Sequence, residues 1–384
     1  MIPYGRQDIS DADVEAVVDV LRSEFLTQGP AVPRFEQAIA GHVGALHAVA
    51  VNSATSALHI ACLALGLGQG DLLWTVPNTF IASANCARYC GADVDFVDID
   101  ARSRNMSVSA LADKLRGAAA IGKLPKIVVP VHFSGLPCDM FEIRELSRQY
   151  GFYVIEDASH AVGAKYRDSS IGDCRFSDIT VLSFHPVKII TSAEGGMALT
   201  NDAEWAHRLE LFRSHGMERD PVRFTDAPEG LWVYEMQSLG FNYRLTDVHA
   251  ALGVSQMQRL ESMVVRRTAL AARYDELLSD LPIIRPAPVS DRRSAWHLYV
   301  VELGDVKPSR AQVFSAMRAA GIGVAVHYIP VHLQPYYRAL GFQPGDFPLA
   351  EMYYSRAITL PLYPGLSEAQ QDLVVDALGA ALAL

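Results

Sequence analysis

Apolar positions along this chain fall into two alternating rhythms. Short β-branched or aliphatic runs at residues 47–51, 72–76, 94–97, 126–132, 152–155, 180–182 and 197–199 predict buried strands. Between them the spacing becomes helical, over residues 35–43, from Ala54 through Leu65, over 79–89 with Phe80 in the first turn, and over 140–150. Near the start, Ser10 and Asp13 form a capping box for an amphipathic helix with Val14, Val17, Val18 and Leu21 on one face. Residues 25–30 break it. Strands separated by helices over so long a stretch predict an α/β domain with a mainly parallel sheet.

After Leu245 the texture changes. Thr246 and Asp247 cap a helix expected to run unbroken towards Leu278, and Pro282, Pro286 and Pro288 follow it. A strand over 296–303, a helix over 310–319, a strand over 323–328 and a closing helix over 367–382 make a second, α+β lobe. The expected division is 1–245 for the large lobe and 246–384 for the small one.

Composition narrows the possible chemistry. The chain has 384 residues, half of them hydrophobic, which is enough for two substantial cores. A net charge of −10 without basic runs argues against bulk binding to nucleic acid or acidic membranes. No apolar stretch is long enough to span a bilayer, and the N-terminus lacks the basic and apolar regions of a signal peptide. Cys62, Cys86, Cys90, Cys138 and Cys174 are odd in number and lack CxxC pairs, so buried free thiols in a reducing cytoplasm are expected, with no metal site.

The chemistry-bearing residues sit at strand ends, where ligands gather in parallel sheets. Asn52, Ser53, Ala54, Thr55 and Ser56 lead from a strand into a helix, which suits either a phosphate or an ordinary cap. Asp157 and His160 follow the strand at 152–155. Ser183, His185 and Pro186 lead to Lys188, and Gly195-Gly196 turns the chain back. Of the six lysines, only Lys188 is enclosed by a hydroxyl, a histidine, a proline turn and a glycine pair. The pattern alone suits a surface lysine after a strand equally well. Desolvated, it would have a lowered pKa and attack a carbonyl. With pyridoxal phosphate as that carbonyl, Asp157 would pair with the ring nitrogen and Phe80 would stack on the ring. The phosphate would lie between Ala54, Thr55, Ser56 and the Ser183 hydroxyl.

The stretches NSATSALHIACLALGLGQGD, PNTFIASANCARYCGADVDFVDID, IEDASHAVGAKY, SFHPVKIITSAEGGMALTND and GFNYRLTDVHAALGVSQ resemble the DegT/DnrJ/EryC1/StrS sugar aminotransferases. The similarity runs from Ile2 to about Leu366. MIPYGRQ, FLTQGP, FRSHGM and GIGVAVHYIPVHLQPYYR resemble the branch that serves pseudaminic acid synthesis. The resemblance implies the fold type I architecture of pyridoxal-phosphate enzymes. It also implies a homodimer that moves an amino group, from L-glutamate, to C4 of a UDP-linked 4-keto-6-deoxy-N-acetylamino sugar. Lys188 would carry the cofactor and shuttle the proton, and His160 would lie near the cofactor phenolate. Asn242 would reach the phosphate of the partner subunit. Tyr4, Leu26, Thr27, His327, Tyr328, Ile329 and Pro330 match positions that contact nucleotide-sugar or cofactor. Ala54 stands where many relatives have glycine, and Ser192-Ala193 where many have Thr-Gly. The alternatives are a transaminase for a dTDP-sugar or a perosamine precursor, or a regulatory relative. No helix-turn-helix lies beside a basic patch to support the last.

Overall fold

The strand–helix alternation of the first half closes into one sheet. The computed structural model describes residues 1–383. Seven strands, β1 (His47–Val51), β2 (Leu72–Thr75), β3 (Asp93–Phe96), β4 (Ile127–Val128), β5 (Tyr153–Asp157), β6 (Ile179–Ser183) and β7 (Gly196–Thr200), pair in the order β1-β7-β6-β5-β4-β2-β3. Every pairing is parallel except the two that β7 makes. The carboxyl ends of the other strands therefore share one edge. The central strands β5 and β6 are almost wholly buried, as a sheet covered on both faces requires.

Helices α1 (Asp11–Leu21), α2 (Ala31–Val43), α3 (Ala54–Ala64) and α4 (Ala82–Tyr89) cover this half. The Ser10–Asp13 capping box is formed. Val14 and Leu21, however, are exposed, and the buried positions of α1 are Asp13 and Val20. Polar pairing turns the helix: Asp13 Oδ2 accepts from Arg259 and Gln256, both at 2.7 Å. Helix α2 has no cap of its own. The buried Asp247 carboxylate accepts the N–H groups of Gly29 at 2.8 Å and Ala31 at 2.7 Å.

The helix expected to run to Leu278 is two helices, Asp247–Met257 and Leu260–Leu277. No Gly or Pro marks the break. Arg259 sits there because its guanidinium must reach Asp8 and Asp13. The first of the two helices packs on α1 and α2. A second core begins within the other, at Leu270, and continues through Tyr274, Tyr299, Val301, Ile358 and Leu378. It lies over an antiparallel sheet of Ile283–Ile284, Tyr299–Leu303 and Ala357–Leu360. Residues 323–328, expected as a strand, make a single bridge, Ala325 to Thr359. The N-terminal segment takes the pairing instead: Gly323 N–H donates to Ile2 O at 2.6 Å. Among the described residues no helix is long and apolar enough to cross a membrane.

Candidate active site

The residues that follow β1, β2, β5 and β6 converge at the shared edge on a cavity of about 300 Å³. Ser53 N-caps α3. Its Oγ accepts the Ser56 N–H at 3.1 Å and its carbonyl accepts the Ala57 N–H at 3.0 Å. Ala54 and Thr55, at the first two helical positions, have N–H groups without intrahelical acceptors, at the positive end of the helix dipole. Gly196 lets β7 pass behind this turn, since a Cβ there would stand 2.4 Å from the Ala54 nitrogen. Ala193, in the loop before β7, has φ 65°, the left-handed conformation that favours glycine.

Lys188 follows β6 through the loop at 184–187. It keeps some solvent contact through the cavity mouth, but its ammonium is packed around by protein. Burial pulls its pKa down to about 8, and the Asp157 charge opposes this only in part. Asp157 ends β5 with both carboxylate oxygens engaged: Oδ2 accepts from Ser83 Oγ at 2.6 Å and Oδ1 from the Ser159 N–H at 3.1 Å. Beneath it, buried Glu156 accepts from His132 at 2.6 Å and from Ser177 at 2.9 Å, which fixes the strand. His132 Nδ1 accepts the Cys138 N–H at 3.0 Å, so Nε2 carries the proton given to Glu156.

His160 is held neutral. Burial depresses its pKa first, and the charges of Lys188, His327 and His132 add to the effect. Its Nε2 lies 3.1 Å from the Tyr328 hydroxyl. Burial raises the Tyr328 pKa, so the phenol stays protonated and donates to Nε2. Nδ1 of His160 then carries a hydrogen, buried and without a protein partner. His297 packs against this ring with centroids 4.3 Å apart and is likewise kept neutral by burial. Burial pulls His327 down to about 4, and Lys188 adds to it.

These groups fit pyridoxal phosphate: amide donors for a dianion, a carboxylate for a ring nitrogen and an unpartnered N–H for a ring oxygen. Lys188 supplies an amine whose lowered pKa raises its neutral fraction near physiological pH, and Phe80 an aromatic ring at the rim. A sheet of this topology with that site defines a fold type I pyridoxal-phosphate enzyme. The chain belongs to the DegT/DnrJ/EryC1/StrS aminotransferase family, which it matches over residues 7–379. It is 39% identical to the spore coat polysaccharide biosynthesis protein SpsC of Bacillus subtilis, over 98% of this chain and 96% of that one. Among solved structures it resembles Helicobacter pylori PseC, an aminotransferase of pseudaminic acid biosynthesis, with TM-score 0.90 and 28% identity over 100% of this chain and 99% of that one. It also resembles a Streptococcus pneumoniae sugar aminotransferase in its pyridoxal-phosphate form, with TM-score 0.88 and 27% identity over 100% of this chain and 98% of that one. The protein is thus a sugar aminotransferase that depends on pyridoxal phosphate.

Of the residues expected at the site, the cavity gathers Tyr4, Ala54, Thr55, Phe80, Asp157, His160, Ser183, Lys188, His327 and Tyr328. Phe80 precedes α4 instead of lying in its first turn, and it is 56% exposed. Ser56 is set back, its hydroxyl donating to Asn52 Oδ1 at 2.7 Å. Leu26, Thr27, Asn242, Ile329 and Pro330 do not line this cavity. Thr27 bridges Thr246, and Asn242 bridges Ser214. Sequence reasoning missed Ser83, Thr79 and His297. Thr79 and Ser83 hydroxyls lie 2.8 Å apart, a buried i, i+4 pair just past a strand end, which was the available signal. For His297 the signal was a lone histidine in an apolar strand run.

Proposed function

We propose that the protein transfers an amino group from L-glutamate to the C4 ketone of a UDP-linked 4-keto-6-deoxy-N-acetylamino sugar. The observation that carries the reading is Lys188, its pKa lowered by burial, in one cavity with Asp157, His160 and the open start of α3. The likeness to PseC, together with the motifs around Tyr4 and Tyr328, supports the narrower choice of substrate.

Pyridoxal phosphate supplies a carbonyl that condenses with amines and a ring that draws electrons from the carbon bearing them. The chain's residues do the rest. The Ala54 and Thr55 N–H groups and the Ser183 hydroxyl would hold the phosphate. The Asp157 carboxylate would pair with the ring nitrogen and keep a proton on it. His160, whose buried Nδ1 has no protein partner, would donate to the ring oxygen. Lys188 Nζ takes the proton from the donor's Cα and delivers one to C4 of the sugar. Tyr4, His327 and Tyr328 line the cavity where the sugar would lie.

We further propose a homodimer acting in the cytoplasm, with Asn242, Leu26 and Thr27 completing the site of the other copy. Their place away from the cavity of their own chain supports this. So does the exposure of large apolar side chains outside the cavity, Leu26 at 51%, Leu231 at 105% and Trp232 at 76%. The test is incubation of purified protein with L-glutamate and a panel of nucleotide-linked keto sugars, read by mass spectrometry. Conversion of the UDP-linked 4-keto acetamido sugar to its amine is expected. Turnover confined to dTDP-linked or perosamine-type substrates would replace this substrate assignment while leaving the chemistry intact.

A further inference from the structure

His160 follows β5 in the large sheet. Tyr328, 168 residues further on, lies in a loop that the smaller antiparallel sheet holds. Ala325 bridges Thr359 of that sheet, and His327 Nδ1 shares a hydrogen bond with the Thr359 hydroxyl at 2.8 Å. The His327 carbonyl accepts from the Tyr353 hydroxyl at 3.0 Å. The Tyr328 N–H donates to Asn78 Oδ1, just past β2, at 3.4 Å. The Tyr328 ring packs edge-on against Phe133, with centroids 6.3 Å apart. Its hydroxyl is thus delivered to His160 by a turn fixed from several sides.

The hydrogens of this pair can be counted. The phenol has one, and His160 Nε2, 3.1 Å away, is the one partner of its oxygen among the described residues. Donated there, that hydrogen makes Nε2 the acceptor, so the neutral ring carries its own hydrogen on Nδ1. The Nδ1 atom is buried and has no protein partner. The reverse arrangement would leave the phenol hydrogen without an acceptor and a bare lone pair on Nδ1. Lys188, His327, His132 and His297 stand around the ring, and none of them bonds to Nδ1. A buried N–H left open in this way is costly unless a ligand accepts from it.

We infer that Tyr328 is a positioning residue for His160: its hydroxyl selects the Nδ1–H tautomer, so that a donor and not a lone pair faces the cofactor's ring oxygen. The inference rests on the proposed place of His160 beside that oxygen. Which imidazole nitrogen carries the hydrogen is set by what the other one bonds to, and an imidazole free in water favours Nε2–H. Without the Tyr328 hydroxyl the ring would turn a lone pair towards an oxygen that is already negative. In this role Tyr328 acts through His160 alone. Because the smaller sheet holds it, it ties the state of a residue on one core to the packing of the other.

The test begins with cofactor-free protein carrying isotope-labelled histidine, read by long-range proton–nitrogen correlation spectra at neutral pH. The His160 signals are assigned by their loss in His160→Ala. Wild type is expected to show the Nδ1–H tautomer. Tyr328→Phe, which keeps the buried ring, should shift His160 to Nε2–H. Tyr353→Phe, which loosens the same turn without touching His160, should leave the wild-type tautomer. The second arm titrates the yellow band of the cofactor-loaded enzyme with pH. A donor to the ring oxygen favours the deprotonated form, so Tyr328→Phe should move the midpoint up by about half to one pH unit. Adding Tyr328→Phe to His160→Ala should move it no further. Nε2–H on His160 in the wild-type protein overturns the inference, whether or not the variants fold. So does an unchanged tautomer or midpoint in Tyr328→Phe, a changed tautomer in Tyr353→Phe, or an equal displacement by Tyr328→Phe with and without His160. A protein that takes up no cofactor would end the proposed function, while the first arm would still decide the tautomer.

Discussion

Asp157→Asn tests the electrostatics of the site without its cofactor. Lys188 is lowered from 10.5 to about 8, first by burial, with Asp157 as the charge acting against it. A shift of this size is on the order of 3 kcal/mol. It raises the neutral, nucleophilic fraction at pH 7 from roughly one in three thousand to about one in ten. Removing the carboxylate charge takes away the one opposing influence, so the Lys188 pKa in cofactor-free Asp157→Asn protein should fall further. The assay is competitive acylation at a series of pH values, with Lys188 followed by mass spectrometry. The wild-type midpoint should lie near 8 and the variant's below it. A wild-type midpoint near that of free lysine, or a variant midpoint above the wild type, would refute the reasoning. The sign of the stability effect follows. The unfolded chain holds this proton between about pH 8 and 10.5 and the folded chain does not, so stability rises with pH through that window. Below it the buried charge costs roughly 3 kcal/mol. Lys188→Met apoprotein should therefore melt higher than wild type at pH 7, while losing all turnover.

Three further outcomes are expected. Ser83→Ala removes the 2.6 Å hydrogen bond to buried Asp157 and should lower apoprotein stability by about 1.5–3 kcal/mol, checked by denaturant titration; no change would mean the carboxylate is held otherwise. Arg267 is fully buried and donates to the carbonyls of Trp296, His297 and Leu362, so Arg267→Ala should cost roughly 3 kcal/mol or more, visible as a lower thermal midpoint, and a neutral result would count against its role in joining the two cores. A mixed dimer of Lys188→Ala and Asn242→Ala chains should recover activity that neither parent dimer has, because one site keeps both residues; given an impaired Asn242→Ala parent, a dead mixed dimer argues for sites built from single chains.

The sheet and most of the site were legible because both follow from local rules. Parallel strands bury continuous apolar runs, and their carboxyl ends collect small polar residues, so Asp157, Ser183 and the turn at Ala54 declared themselves. What escaped was set by distant partners. Asp247 caps α2 from more than two hundred residues away, and no sequence pattern links it to Gly29. The break at Arg259 answers Asp8 and Asp13, while its own neighbours favour helix. The apolar stripe of α1 misled because Asp13, a polar residue, is what the fold buries there. His297 reaches the site from the second half of the chain, where its neighbours read only as a strand.

The central claim, that Lys188 is the residue holding the cofactor, is met most directly by borohydride reduction of the yellow holoenzyme followed by peptide mapping. The account predicts a phosphopyridoxyl group on Lys188 and on none of the other five lysines, with Lys188→Ala giving no covalent label although cofactor still binds. A label on another lysine, or stoichiometric labelling of the Lys188→Ala protein, contradicts it.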